Sequence, residues 1–133
     1  MIDPNREHFV KISDVDPDSL VQNIEVRGHK ILADEPKSFP GGNDKGLSPT
    51  DFLLSSLGSC TSMTLRLYAR LKKIPLEKII VRLDRKASGE IIREIELIGN
   101  LTEEQRQRLF EISNKCPIHK ALSNQIIINS ELV

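Results

Sequence analysis

The sequence predicts a single α+β domain in which antiparallel strands accompany one long, buried helix. Short segments rich in Val and Ile alternate with turn residues, a central apolar stretch lies between two prolines, and further strand and helix signals follow it. At 133 residues the chain is long enough for one domain around one core, so the prediction covers residues 1–133.

Composition and charge exclude several classes of function. The 19 basic and 19 acidic residues cancel, so bulk electrostatics attract no nucleic acid. No apolar run reaches the roughly 20 residues of a membrane-spanning helix, and MIDPNREHFV has neither a basic start nor an apolar signal core. We therefore expect a cytoplasmic protein without a membrane partner. Its two cysteines then indicate a free pair, a metal site or a redox couple rather than a permanent disulfide.

The first third of the chain predicts an antiparallel meander followed by a long loop. Residues 7–13, 20–27 and 29–33 are short strand candidates separated by turn signals such as Gly28. The segment 34–49 (DEPKSFPGGNDKGLSP) is rich in Pro, Gly, Asp and Ser and carries no phosphate-binding glycine motif. A loop of this length in so small a domain indicates a functional rim.

A long helix is predicted from the cap residue Ser48 to about Lys73. Pro49 and Asp51 follow the cap in the order that a helix start favours, and Pro75 ends the segment. Apolar and small residues cover most of its circumference, which predicts a buried helix. Close approach of a second helix or a partner subunit is indicated by the small residues Ser55, Ser56, Gly58, Ser59, Thr61 and Ser62.

The second half of the chain predicts two more strands, two helical segments and a final strand. Turn residues at Ser88-Gly89 and the cap signal of Thr102 with two following acids set the boundaries. The predicted elements are a hairpin of 77–86 and 90–98, a helix from 102 to about 114, a helical turn ending at 123 and a strand at 125–129.

The two cysteines are the candidates for chemistry, and each has a structural alternative. Cys60 lies well inside the long helix, where most free cysteines are simply small packed residues. Cys116 precedes Pro117, so its sulfur lies where an N-cap side chain accepts hydrogen bonds and senses the helix dipole, which favours the thiolate. The alternative for Cys116 is a weak cap in place of serine. No CxxC motif joins the pair.

A metal site and a protease-like pair are weaker interpretations of the same residues. Cys60, Cys116 and His119 offer three zinc ligands, whereas structural zinc takes four in two closely spaced pairs. Cys60 with His119 is conceivable as a nucleophile and base, yet such a nucleophile usually lies at an exposed helix start. His8 and His29 fall on predicted strands and indicate surface or edge positions. We therefore expect neither a metal nor a cofactor.

Three segments resemble the OsmC/Ohr family, the osmotically inducible and organic hydroperoxide resistance proteins. They are GGNDKGLSPTDFLLSSLGSCTSMTLRLYAR, the hairpin that begins PLEKIIVRL, and LTEEQRQRLFEISNKCPIHKAL. The resemblance runs from about Val26 to the C-terminus and contains both cysteine motifs in the expected order. Within the family the chain is similar to the OsmC-like branch.

The resemblance implies an α+β fold built as an intertwined homodimer, with antiparallel sheets around two central helices packed back to back. It also implies an antioxidant peroxidase acting on organic hydroperoxides. Cys60 would be the thiolate that attacks the O–O bond, and Cys116 would resolve the sulfenic acid into a disulfide. A small dithiol or a cellular thiol would then reduce the disulfide.

One family feature is missing from this sequence. Better-known members carry an arginine before the helix and a glutamate directly after the proline, which together orient the thiolate. Here Thr50 follows Pro49, the nearest acid is Asp51, and no arginine lies between His29 and Cys60. We expect Asp51 to be the third catalytic candidate, while Arg27 does not align and Lys37 or Lys45 would act only as point charges.

The missing pair leaves two other interpretations open. The first is a non-catalytic protein on the same dimeric scaffold that binds a small apolar ligand or senses redox state. The second is a structural protein in which both cysteines are inert. An apolar cleft lined by leucines of the helix would favour organic over hydrogen peroxide in the enzymatic interpretation.

Overall fold

The computed structural model describes residues 2–133 and confirms the α+β class. The described residues form two antiparallel sheets and three helices. In chain order they are β1 (Lys11–Asp14), β2 (Gln22–Val26), β3 (His29–Ala33), α1 (Pro49–Leu71), β4 (Leu76–Arg85), β5 (Ile91–Gly99), α2 (Glu103–Ser113) and α3 (Pro117–Ser123). Within residues 2–133, no helix combines the length and apolar character needed to cross a membrane.

The chain forms two compact units that divide between Leu53 and Leu54. The first contains the three-stranded sheet β1-β2-β3, in which Ile24 of β2 lies opposite Ile12 and Ile31. A two-residue turn joins β2 to β3, and both of its residues have positive φ, 46° at Arg27 and 81° at Gly28. This conformation matches the twist of a tight hairpin, so the predicted meander is confirmed.

The predicted loop after β3 is confirmed, and the Asp34 carboxylate organises it. Asp34 is buried and accepts backbone N–H groups of Glu35, Asn43 and Lys45 at 2.8, 3.1 and 3.1 Å. Burial disfavours the charged form, but the hydrogen bonds from Lys45, Glu35 and Asn43 lower the pKa of Asp34 below its ordinary value. One carboxylate therefore closes much of the loop on itself.

Helix α1 begins and ends close to the predicted residues. Ser48 Oγ accepts the N–H of Asp51 at 3.1 Å, and Asp51 Oδ2 accepts the N–H of Ser48 at 2.9 Å. This reciprocal capping box satisfies two donors that the first helical turn leaves free. The helix ends at Leu71, and Lys73 reverses the chain direction with a φ of 54°.

The second unit packs α1 and α2 against the hairpin of β4 and β5. Val81 lies opposite Ile95 in the hairpin, and Gly89, with a φ of 92°, lies in its turn. A Cβ atom at Gly58 would lie 2.7 Å from Leu83 Cδ1, so glycine permits the close approach of α1 to β4. The buried core contains Leu65, Ala69, Leu76, Leu109 and Ile112.

Helices α2 and α3 begin at the caps that the sequence predicts. Thr102 forms a capping box with Gln105, and α2 ends at Ser113 with Asn114 as its C-cap. Cys116 caps α3, with Pro117 as its first residue. The N-cap position predicted for Cys116 is therefore confirmed.

The strand predicted at 125–129 is wrong for this chain. Residues 124–133 have no regular secondary structure, and Ile127 and Ile128 expose 82% and 80% of their surface. Strand propensity is expressed only where a neighbouring strand supplies hydrogen bonds, and the described part of the chain offers none there.

One face of α1 is exposed, although the sequence predicts a helix buried all round. Leu57, Gly58, Thr61, Leu65 and Ala69 are buried. Met63, Leu67 and Leu71 expose 66%, 65% and 77% of their surface and follow one another at a four-residue spacing. This apolar stripe, defined by Met63, Leu67 and Leu71, is not covered by any part of residues 2–133.

Candidate active site

The fold brings the two cysteines together within the second unit. Cys60 lies in the middle of α1 and is partly exposed, whereas Cys116 at the start of α3 is fully buried. Both are free, and the two sulfurs lie close enough that each changes the pKa of the other. Two thiols in direct contact can exchange a proton, and they can form a disulfide once one of them is oxidised.

The start of α3 favours negative charge on Cys116. Its Sγ accepts the backbone N–H of His119 at 3.4 Å, and the N–H of Ile118 also points toward it. Burial alone would raise the pKa of Cys116, but hydrogen bonds from Cys60, His119 and Ile118 and from the Thr61 hydroxyl lower it below the ordinary value. The predicted cap therefore stabilises a thiolate.

The same contact keeps the proton on Cys60. Burial raises the pKa of the Cys60 thiol, and the hydrogen bond and negative charge at Cys116 raise it further. Donors at Ile118 and Thr64 act in the opposite direction without reversing it. In the reduced protein the pair therefore loses its first proton from Cys116 and keeps the second on Cys60.

Arg93 on β5 is a site residue that the sequence analysis missed. Its Nη1 donates to Thr61 Oγ1 at 3.0 Å, and its Nη2 donates to Asn114 Oδ1 at 3.2 Å and Ser113 Oγ at 3.5 Å. Burial lowers the pKa of Arg93, and the Cys116 charge opposes that effect. The guanidinium remains charged at any pH at which the protein is folded.

A pattern in the sequence could have indicated Arg93. In the segment IIREIELI, Arg93 shares a strand face with Ile95 and Leu97, which pack against the core. A charged residue on a core-facing side of a strand requires a partner, and in this protein that partner lies beside Cys116.

His119 lies beside Arg93 and remains neutral. Burial lowers the pKa of His119, and the positive charge of Arg93 lowers it further. His119 is held by α3, and its backbone N–H rather than its ring caps Cys116.

A cleft of about 340 Å³ reaches Arg93 and His119. Its wall combines apolar and polar surface. The lining residues are Leu57, Gly89, Ile91, Arg93, His119, Leu122 and Ser123. Such a cleft suits a small molecule with an apolar body and a polar group.

The structure places Asp51 in the capping box of α1, where its carboxylate accepts the Ser48 N–H. Arg27 donates to the carbonyl of Glu7 at 2.8 Å. Across residues 2–133, no three His, Cys, Asp or Glu side chains lie close enough together to hold a metal ion. The weak zinc interpretation of Cys60, Cys116 and His119 therefore gains no support.

Comparison with known proteins identifies the family. Residues 42–131 match the family model described as OsmC-like protein. No curated protein sequence matches the chain. The matched segment includes all of α1, the β4-β5 hairpin, α2 and α3, and therefore both cysteines.

Solved structures agree with the fold. An OsmC-like protein from Mycoplasma pneumoniae is 24% identical with a TM-score of 0.70, covering 90% of this chain and 89% of its own. Organic hydroperoxide resistance proteins from Legionella pneumophila and Elizabethkingia anophelis are 18% and 20% identical, with TM-scores of 0.57 and 0.54. They cover 89% and 88% of this chain and 91% and 89% of their own. On the family match and the shared fold, the chain belongs to the OsmC-like family.

Proposed function

We propose that this protein is a thiol peroxidase that reduces organic hydroperoxides through Cys60 and Cys116. The proximity of two free thiols, one of them capping a helix start, carries this proposal. Similar structures that are organic hydroperoxide resistance proteins support the substrate class, and the cleft beside Arg93, with both apolar and polar surface, suits a peroxide with a hydrocarbon body.

In the proposed reaction Cys60 attacks because it is the more accessible sulfur. Its proton passes to the Cys116 thiolate, and the Cys60 sulfur attacks the terminal oxygen of the hydroperoxide. The S–O bond forms as the O–O bond breaks, which yields a Cys60 sulfenic acid and an alkoxide. The alkoxide takes the proton from Cys116 and leaves as an alcohol.

The second step uses the thiolate that this proton transfer regenerates. Cys116 attacks the Cys60 sulfenic sulfur, a disulfide forms, and hydroxide leaves and is protonated to water. Two thiols and one hydroperoxide thus give one disulfide, one alcohol and one water. A small dithiol or a cellular thiol in a reducing cytoplasm would return the disulfide to two thiols by exchange.

Two other parts of the protein belong to the proposal. The apolar stripe of α1 is the surface on which a second copy would pack, giving a homodimer. Asp51 fixes the first turn of the helix that carries Cys60 and so has a positioning role. The proposal includes neither a metal nor a cofactor.

Turnover with a defined reductant tests the proposal. The reduced protein is mixed with cumene hydroperoxide and dithiothreitol, and peroxide consumption is followed for the unmodified chain, Cys60→Ser and Cys116→Ser. We expect catalysis by the unmodified chain, none by Cys60→Ser and a stalled sulfenic acid in Cys116→Ser. A chain that consumes no cumene hydroperoxide but retains an apolar molecule in native mass spectrometry would instead be a binding protein.

A further inference from the structure

We infer that Arg93 is the positioning residue that keeps the negative charge of the dithiol on Cys116, acting through the Thr61 hydroxyl and the loop between α2 and α3. The inference rests on the proposed function, because it explains why Cys116 can serve first as the base for Cys60 and then as the resolving thiolate.

Arg93 is an arginine without an acidic partner among the residues that the structure describes. The ion pairs formed by other arginines involve Arg82 with Glu96 and Arg108 with Glu111, both at exposed positions. Within residues 2–133, Arg93 has no carboxylate within ion-pair distance, and its hydrogen-bond partners are two hydroxyls and an amide. A half-buried guanidinium among neutral groups requires an anion nearby. The Cys116 thiolate interacts with its charge.

Thr61 lies between the Arg93 and Cys116 charges. Thr61 is fully buried on α1, and its Oγ1 accepts from Arg93 at 3.0 Å. Its hydroxyl proton can go to the Leu57 carbonyl, 2.7 Å away, or to the Cys116 sulfur. An Arg93 hydrogen bond to the oxygen makes that proton a better donor. Arg93 therefore strengthens the donor that faces the thiolate.

Arg93 also holds the loop that carries Cys116. Arg93 Nη2 donates to the side chains of Ser113 and Asn114, the last residue and the C-cap of α2. Asn114 is separated from Cys116 by one residue, so the same guanidinium fixes the direction from which Cys116 approaches Cys60. One side chain on β5 thus contacts both α1 and the Cys116 loop.

The titratable and charged groups that face this cluster are few. They are Cys60 on α1, Arg93 on β5, and Cys116 and His119 on α3. His119 is kept neutral by burial and by Arg93, so Arg93 is the cation of the cluster at neutral pH. Its removal would leave the thiolate with hydrogen bonds but without a full opposite charge.

The Cys60→Ser background gives the cleanest test, because Cys116 is then the sole thiol in the chain. The ultraviolet absorbance of the thiolate is titrated with pH in Cys60→Ser alone and with Arg93→Met, Arg93→Lys or Thr61→Val added. We expect Arg93→Met to move the midpoint of the Cys116 titration to higher pH, so that the proton concentration at the midpoint falls about tenfold. An effect of this size is expected when one full charge is removed. Thr61→Val should act in the same direction, and Arg93→Lys should restore part of the effect.

A control variant separates this effect from any general change. Arg82→Met removes an exposed arginine of the neighbouring strand that pairs with Glu96, and its titration should match that of the parent. A purely structural role for Arg93 would lower the melting temperature without moving the Cys116 titration, and that result would overturn the inference. If Arg93→Met does not fold, the Thr61→Val titration tests the inference instead, because it removes the hydroxyl through which Arg93 acts.

Single-turnover oxidation of the two-cysteine protein by cumene hydroperoxide links the inference to the reaction. We expect the Arg93→Met variant to be oxidised about tenfold more slowly than the parent at neutral pH. At higher pH its oxidation rate should approach that of the parent. If the titration moves as expected but even the unmodified chain is not oxidised, the proposed peroxidase function fails while the Arg93 assignment stands. If oxidation is normal and the titration does not move, the Arg93 assignment fails alone.

Discussion

The interaction between the Cys60 and Cys116 sulfurs raises the pKa of Cys60 and lowers the pKa of Cys116, so the partly exposed cysteine holds the proton and the buried cysteine holds the charge. The difference between the two cysteines comes from their positions relative to helix ends and not from the thiol groups, which are identical. Cys116 lies at a helix start with two backbone donors, while Cys60 lies within a helix whose backbone donors are already used. The fold thereby gives two chemically identical side chains different roles.

The pH dependence of stability follows from this difference. An unfolded chain titrates both thiols near the ordinary value of 9.0, whereas folding lowers the pKa of Cys116 and raises that of Cys60. Between the pKa of Cys116 and pH 9.0 the unfolded state binds more protons than the folded state, so the free energy of unfolding rises with pH. Between pH 9.0 and the pKa of Cys60 the folded state binds more protons, so the free energy of unfolding falls with pH. We therefore predict that the contribution of the two thiols to the free energy of unfolding is greatest near pH 9.0, the ordinary pKa of a cysteine.

Chemical denaturation of the reduced protein across this pH range measures the effect. The free energy of unfolding is compared with that of Cys60→Ser/Cys116→Ser, in which other titrating groups are unchanged. The predicted charge distribution would be contradicted if the free energy of unfolding of the parent, minus that of the double variant, decreased steadily as the pH rose to 9.0.

The core makes a prediction that is independent of the chemistry. Leu109 on α2 is fully buried and packs with Leu65 and Ile112. Leu109→Ala should lower the free energy of unfolding by about 2–5 kcal/mol, because a cavity remains. The neighbouring Phe110, which exposes 55% of its surface, gives the control: Phe110→Ala should cost about 0.5 kcal/mol or less. Equal losses in the two variants would show that α2 is packed differently.

The capping box of α1 predicts how Asp51 acts. Ser48→Ala and Asp51→Ala should each lower the free energy of unfolding by about 1 kcal/mol, since each breaks one of two reciprocal hydrogen bonds. Both should oxidise with the same pH profile as the parent protein in single-turnover experiments. A loss of oxidation rate seen only in Asp51→Ala would instead give its carboxylate a direct part in catalysis.

The apolar stripe of α1 predicts self-association. Leu67→Asp places a charge at the middle of the stripe, and in a symmetric dimer it does so twice, so we expect the dimer dissociation constant to rise at least about tenfold. Sedimentation analysis over a concentration series measures it. Phe110→Asp changes an exposed apolar residue outside the stripe and should leave association unchanged. A monomeric parent protein would refute the dimer.

The elements with local signals were predictable from the sequence. Ser48 with Pro49, Thr102, and Cys116 with Pro117 mark helix starts through chemistry within one turn, and the structure has its helices there. The strand at 125–129 was predicted from propensity alone and is not formed, because strand pairing depends on a distant or external partner.

The site was only partly predictable for the same reason. Cys116 at a cap was a local inference, but its contact with Cys60 depended on the family resemblance. Arg93 was missed because it is distant in sequence from both cysteines and reaches Thr61 and Asn114 through strand register and helix packing. A charged residue on the core-facing side of β5 was the available signal, and it indicates a buried partner without identifying it.

The most direct test of the account is peptide mapping of the protein after one equivalent of cumene hydroperoxide, without reductant and with free thiols blocked at the end. We predict that Cys60 and Cys116 are recovered in one disulfide-linked peptide pair, and that Arg93→Met forms the same pair more slowly at neutral pH. Two blocked, unoxidised thiols in the unmodified protein, or disulfides found only between chains through Cys60, would contradict it.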